Sequence, residues 1–534
     1  MHTDALAVFI FFFLLVTVLG FIAARWRRGN LHAINEWGLA GRRFGTVVTW
    51  FLLGGDLYTA YTFIAVPGAM FGLGALNGFF AVPYTVLVYP LVFLFMPRFW
   101  AVCKQHGYVT AADFVKDRFG SRGLALAVAF TGILATMPYI ALQMYGIQVA
   151  IAGLGIPLAV SIGGISLDLP LIIAFIILAA YTYTSGLRAP AMIALVKDVM
   201  IFVVLFAVII IIPSQLGGFG PIFQAVHAKA VANPKTFFDI LSPTQFTAYT
   251  TLALGSAFAL FLYPHSLTGV LSSSSPKVVK RNVALLPIYS LMLGLLAFVG
   301  YMAIAAKVKP LAGFGSNGIV PALINFSFPT WFAGFAFAAI AIGALVPAAV
   351  MSIAAANLFT RNVYVEYFNK NATERQESEV AKLTSLIVKF GALLFITLLP
   401  TQNILNFQLL GGVWILQTVI PVFFGLFTRW FNRWALIVGW LVGMIVGTLM
   451  EFSGLIFGTS AALVNNYTLH LGSFSFTAFS GFQAVIVNIV VAIVLTPIFQ
   501  VVGAKRGADL TSPSDYDIGE PLVRVKEPTP EAFG

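Results

Sequence analysis

The sequence predicts an all-α integral membrane protein, a bundle of about thirteen transmembrane helices. Three observations carry that expectation. Of the 534 residues, 60% are hydrophobic and 9% charged, where a soluble domain carries roughly 25% charged residues. Apolar stretches long enough to cross the hydrocarbon core, about 20 residues, recur about thirteen times. The basic residues fall mainly in alternate loops, as the positive-inside rule requires.

The stretches lie near 6–24, 46–74, 76–97, 124–154, 170–186, 190–213, 247–271, 284–306, 331–358, 383–400, 407–428, 434–450 and 481–501. With the N-terminus outside and the C-terminus cytoplasmic, inner loops and tail hold 24 of the 30 Lys and Arg residues. Among them are Arg25, Arg27, Arg28, Arg42, Arg43, Arg98, Lys104, Lys116, Arg118 and Arg122. The outer loops hold Lys229, Lys235, Lys307 and Lys309. The net charge of +11 is therefore a matter of topology and points to no nucleic-acid partner. A cleaved secretory signal carries its basic residues before the apolar run. Here Arg25-Trp26-Arg27-Arg28 follows it, so the first run is expected to stay as a helix in the cell inner (plasma) membrane. Cys103 is the only cysteine, which rules out a disulfide within one chain.

Residues 1–502 read as one membrane domain and 503–534, rich in Pro, Asp and Glu, as a disordered cytoplasmic tail. The outer loop 214–245 is expected to carry short interfacial helices around 222–230. The expected partners are membrane lipid and a small-molecule solute, with the chain a monomer or weak oligomer.

Five ionisable residues fall inside spans: Asp56, Lys197, Asp198, His265 and Lys389. Each costs at least about 2.5–3.5 kcal/mol at bilayer depth and so turns to a bundle interior or an ion path. Two spans are also interrupted. The second holds Gly54-Gly55-Asp56 and Pro67-Gly68, the seventh Gly255-Ser256 and Tyr263-Pro264-His265. Glycine weakens a helix and proline removes a donor, and freed backbone groups in a membrane must find protein, ions or water. Counted from the second span, these are the first and sixth of ten core helices. Interruptions at matching positions of two five-helix halves, near 46–213 and 247–428, point to an inverted-repeat transporter with its site at midplane. Packing glycines and a mid-helix proline would explain one interruption more readily than two in register.

Thr59, Tyr61 and Thr62 follow the first interruption, where a half-helix N-terminus with open N–H groups suits a carboxylate. Tyr139 and Gln143, on the expected opposite wall, complete the predicted substrate-binding set. In the other reading these groups only make interhelical hydrogen bonds. Lys197 and Asp198, with Asp56, form the expected ion-coupling group; alternatively Lys197 snorkels and pairs with Asp198 for structure alone. His265 reads as a cap on the broken helix or a proton sensor, and Lys389 as an interface anchor on a long apolar stem. No zinc-ligand pair, nucleophile elbow or P-loop is present. Neither an enzyme nor a cofactor beyond a coupling ion is expected.

Several segments in order resemble the sodium:solute symporter family over roughly residues 5 to 500. They are Gly107-Tyr108-Val109-Thr110-Ala111-Ala112-Asp113-Phe114 with Asp117-Arg118-Phe119-Gly120, and Pro138-Tyr139-Ile140-Ala141-Leu142-Gln143. Ser185-Gly186-Leu187-Arg188-Ala189 precedes the family's Asp, here Asp198; Pro264-His265 and Ala348-Ala349-Val350-Met351-Ser352 complete the series. The resemblance implies a LeuT-like 5+5 inverted-repeat bundle and solute symport with Na+ or H+ by alternating access. Gly54 to Thr62 and Leu195-Val196-Lys197-Asp198 are similar to the monocarboxylate-permease branch, which implies lactate, pyruvate or acetate. Amino acids, sugars or polyols are the alternative solutes, and a transporter-like membrane sensor the alternative role. Carried over, the family's sodium site would use backbone carbonyls near Gly55 and Tyr58, the Ala349 carbonyl and the Ser352 hydroxyl. Two departures stand out. Ile353 replaces an expected hydroxyl, and Lys197 replaces a small polar residue. A lysine there can stand in for a bound cation and carry a proton instead.

Overall fold

The computed structural model describes residues 2–518 apart from 27–28, 158, 163–164, 400–403, 460–462 and 473. Arg27 and Arg28, and the tail beyond 518, lie outside these residues.

A helix or helix pair stands on each of the thirteen apolar runs. In order they are α1 (Thr3–Ile22), α2 (Thr46–Leu57) with α3 (Tyr61–Leu73), α4 (Ala81–His106), α5 (Ala111–Phe119) in a loop, and α6 (Arg122–Gly153). Next come α7 (Leu169–Ser185), α8 (Arg188–Gln215), α9 (Phe219–Ala232) in the expected outer loop, α10 (Phe246–Leu262), α11 (Pro264–Leu271) and α12 (Pro276–Ala305). The last are α13 (Thr330–Phe359), α14 (Glu374–Leu398), α15 (Leu405–Thr418) with α16 (Ile420–Phe427), α17 (Arg433–Glu451) and α18 (Ser480–Val501). Among the described residues nine helices are long and apolar enough to span alone, or eleven if each bent pair is one span. The remaining two runs depart for visible reasons: α7 is short, and α14 opens with Glu374, Arg375, Glu377, Glu379 and Lys382.

Small residues put α13 at the centre. Its Ala- and Gly-rich sequence lets neighbouring backbones approach closely, and its most apolar window is 100% buried. It packs against α1, α6, α8 and α14. The corresponding window of α1 is only 17% buried, so its Phe and Leu side chains face outward. Two short antiparallel hairpins add to the helical bundle. They are β1 (Ala159–Ile162) with β2 (Ile165–Asp168), and β3 (Asn466–Leu471) with β4 (Phe474–Phe479). The alternation in Phe474-Ser475-Phe476-Thr477-Ala478-Phe479 is a strand pattern too short to form a long apolar run.

The loops richest in Lys and Arg meet at one end of the bundle. Thr110 caps α5 in a reciprocal box with Asp113, whose second oxygen accepts from Asn362 at 2.8 Å. Glu366 pairs with Lys116 at 2.7 Å and Arg122 at 3.2 Å. The tail differs from expectation: residues 504–518 are docked here. Asp509, its side chain 1% exposed, pairs with Arg118 at 2.7 Å and Arg429 at 2.6 Å. His106 meets Asp515 at 2.8 Å, and the Leu510 N–H donates to Asp117 O at 3.0 Å. Composition suggests disorder because few apolar groups are offered for burial; specific ion pairing with basic loops supplies another anchor. Asp509→Ala is expected to cost about 1.5–3 kcal/mol, the worth of hydrogen bonds to a charged group. A lower melting temperature in detergent and faster proteolysis within 503–518 would register it. Unchanged values would mean that the other contacts hold the segment alone.

Candidate functional site

Both expected interruptions exist, within 54–58 and 255–265. The second falls at Tyr263-Pro264. Pro264 starts α11, and Tyr263 before it is extended at φ −56°, ψ 135°, the conformation forced on a residue preceding proline. Gly255-Ser256 runs inside continuous α10. The first falls after the glycines, at Tyr58 (φ −90°, ψ 89°), and α2 and α3 meet at 44°. Pro67-Gly68 lies within α3. Gly54 and Gly55 serve close approach instead of breakage. A Cβ on Gly54 would stand 2.1 Å from the Tyr289 ring, and one on Gly55 2.8 Å from Lys197 Nζ.

Lys197 is buried completely and does not snorkel. Its Nζ donates to Gly55 O at 2.6 Å and Tyr58 O at 3.1 Å, and pairs with Asp198 Oδ1 at 3.0 Å. The Tyr289 hydroxyl on α12 donates to Asp198 Oδ2 at 2.8 Å. The carbonyls freed at the first interruption thus go to an ammonium. Tyr289 escaped the sequence reading because its partner is 91 residues away and nothing in its own span marks it.

Asp56 turns to His265. Their Oδ2 and Nε2 atoms are 3.3 Å apart, which joins the end of α2 to the start of α11. Tyr139 faces His265 and Tyr263 at ring distances of 5.5 Å, and Tyr61 at 6.5 Å. The expected open half-helix N-terminus is closed. The Ala60 N–H donates to Gln143 Oε1 at 3.0 Å and the Tyr61 N–H to Thr59 Oγ1 at 3.0 Å. The Thr62 and Phe63 N–H groups donate to Thr59 O at 3.0 and 3.1 Å. Gln143, Thr59, Tyr61, Thr62 and Tyr139 are therefore together and buried, with the first backbone donors already spent. Among the described residues, unused hydrogen-bonding capacity remains on Gln143 Nε2, Asp56 Oδ1 and His265 Nδ1. A cavity of about 60 Å³ beside α11 is lined by Asp56, Ser266 and Tyr89 among apolar residues such as Val88, Met96 and Leu260.

The residues that the resemblance assigns to sodium do not fit a sodium site as they stand. Two of the four carbonyl or hydroxyl ligands face the Lys197 amine. On α13, Ser352 Oγ donates to Ala349 O at 2.8 Å, and Ile353 adds no oxygen. Tyr58 O would lie 3.9 Å from a Cβ placed on Gly343 of α13, but no hydrogen bond joins the Ala349–Ser352 pair to the Gly55 and Tyr58 carbonyls among the described residues. Lys389 is not at an interface: it is 1% exposed and hydrogen-bonded to Ser385 at 2.9 Å. Position along an apolar run places a residue in depth but leaves its direction around the helix open.

Comparison with known proteins agrees with this architecture. A "Monocarboxylate transport permease protein" of Rhizobium johnstonii is 52% identical over 492 residues, covering 92% of this chain and 96% of the relative. "Uncharacterized symporter YodF" of Bacillus subtilis is 31% identical over 91% of this chain and 92% of its own length. A solved Na+-coupled sialic acid symporter, in a substrate-bound outward-open state, superposes with a TM-score of 0.70. It covers 93% of this chain and 98% of its own, at 17% identity, and shows that the bundle is LeuT-like. A sequence model of the sodium:solute symporter family matches residues 37–447: the chain, a membrane-embedded transporter of small solutes, belongs to that family.

Proposed function

We propose that the chain is a secondary active symporter importing a small monocarboxylate such as lactate, pyruvate or acetate by alternating access. Its coupling ion is the proton, held by Lys197 and Asp198. The observation that carries this reading is the Lys197 ammonium on the Gly55 and Tyr58 carbonyls. An amine there supplies the positive charge of a bound cation, and gaining or losing a proton adds or removes that charge. The solute sits among Thr59, Tyr61, Thr62, Tyr139, Gln143 and His265, where unspent donors adjoin apolar wall. The name of the Rhizobium relative supports a monocarboxylate. The plasma membrane with the N-terminus outside is the arrangement that the basic loops favour.

Sodium coupling is the second reading, supported by the family, by the Na+-coupled symporter of the same fold, and by the presence of Ala349 and Ser352. Amino acids, sugars or polyols are the runner-up solutes. Uptake into proteoliposomes decides among these, using labelled short carboxylates, amino acids and sugars with proton and sodium gradients imposed one at a time. Saturable, proton-driven uptake of a short carboxylate is expected. Uptake driven by sodium alone would overturn the role of Lys197, and uptake of an uncharged sugar alone would overturn the solute class.

Gln143→Leu tests the binding wall. It strands the buried Ala60 N–H, a loss of about 1–3 kcal/mol. Uptake at sub-saturating solute should fall about ten-fold, since 1.4 kcal/mol is a factor of ten. Equal uptake by the variant would confine Gln143 to the lipid-independent packing of α6.

A further inference from the structure

The proposed function rests on Lys197 filling one half of the sodium site that the resemblance predicts; a second lysine closes the other half. Lys389 on α14 is 1% exposed. Its Nζ donates to Ser385 Oγ at 2.9 Å, Ser385 Oγ donates to Ser352 Oγ at 3.3 Å, and Ser352 Oγ donates to Ala349 O at 2.8 Å. Every proton in this chain points the same way, from amine to carbonyl. Ser352 and Ala349, the two ligands expected from α13, are thereby committed to each other. An ammonium stands two hydrogen bonds behind them. Among the described residues no carboxylate pairs with it.

We propose that Lys389 is a specificity residue for the coupling ion, excluding sodium from the α13 half of the site through Ser385. A sodium ion at Ser352 would have only the one Oγ lone pair that Ser385 leaves free, and beside a protonated Lys389 it would meet like charge in a poorly screened interior. Burying an unpaired ammonium in a span is expensive, and lipid anchoring does not account for a side chain with no exposed surface. Among the described residues Lys389 hydrogen-bonds to neither the solute wall nor Lys197. It acts by positioning Ser352 and by its charge.

The test is 22Na+ binding to the purified full-length chain in detergent, in a background of Lys197→Ala so that the Gly55 and Tyr58 carbonyls are vacated. Lys197→Ala with Lys389→Met is expected to bind sodium saturably, at least about ten-fold more tightly than Lys197→Ala alone, a difference of about 1.4 kcal/mol. Lys197→Ala with Lys389→Arg, which keeps charge and donor, should stay indifferent to sodium. If the methionine variant does not fold, Lys389→Gln, neutral but able to donate to Ser385, carries the same expectation. Equal sodium binding with and without Lys389, at any level, overturns the proposal. The Lys197 reading fails on a separate measurement, proton-driven uptake that survives Lys197→Ala.

Discussion

Lys197→Ala is expected to lower proton-driven solute uptake by at least about a hundred-fold. The amine meets Gly55 O, Tyr58 O and Asp198 at once, and among the described residues no second cation pairs with Asp198. Removing one partner of a buried pair costs about 3–5 kcal/mol, because the other charge is left uncompensated. At 1.4 kcal/mol per factor of ten, that is two orders of magnitude or more. Part of the loss will be stability, so melting temperature in detergent must be followed beside transport. Lys197→Ala with Asp198→Asn separates the two. Removing both charges should recover most of the stability, since the desolvation penalty goes with them, while coupling stays lost. A double variant that regains proton-driven uptake would reduce the pair to a structural role.

Gly54→Ala should be nearly as damaging, although it adds one methyl group. The new Cβ would stand 2.1 and 2.2 Å from Cε2 and Cζ of Tyr289, so the ring must move. Its room is limited. Trp50, Tyr58 and Phe202 surround it with ring centroids at 4.7, 5.0 and 5.7 Å. Moving it also withdraws the hydroxyl from Asp198. Overpacking costs typically about 1–3 kcal/mol, and a hydrogen bond to a charged group about 1.5–3 kcal/mol more. A melting temperature lowered by several degrees and uptake lowered about a hundred-fold are expected. Tyr289→Phe isolates the second contribution, because it keeps the ring and drops the hydroxyl. Wild-type transport and stability in Gly54→Ala would show that Tyr289 yields freely and does not hold Asp198.

Much of the architecture is legible in the sequence. Apolar length located the runs, and Pro264 located one interruption to the residue, because proline acts on its own backbone and on the residue before it. The other interruption falls at Tyr58, just past the two glycines. Glycine permits a break without requiring one; Gly54 and Gly55 are small so that Tyr289 and Lys197 can approach. The hairpins and the docked tail were missed for a related reason, since short alternating segments and ion pairs across the chain leave no long apolar signal.

The candidate site divides along the same line. Residue type and depth alone named Asp56, Lys197 and Asp198 as groups that must be compensated inside the bundle, and family resemblance added Gly55, Tyr58, Ala349 and Ser352. Which group compensates which was settled only by folding. Lys197 takes the two freed carbonyls, Asp56 turns to His265, Gln143 caps α3, and Lys389 faces inward through Ser385 to Ser352. Hydropathy along a chain reports the cost of burying a charge, a property of one residue. The partner that offsets that cost comes from a helix tens or hundreds of residues away, and its choice depends on rotation and packing that a one-dimensional pattern does not contain.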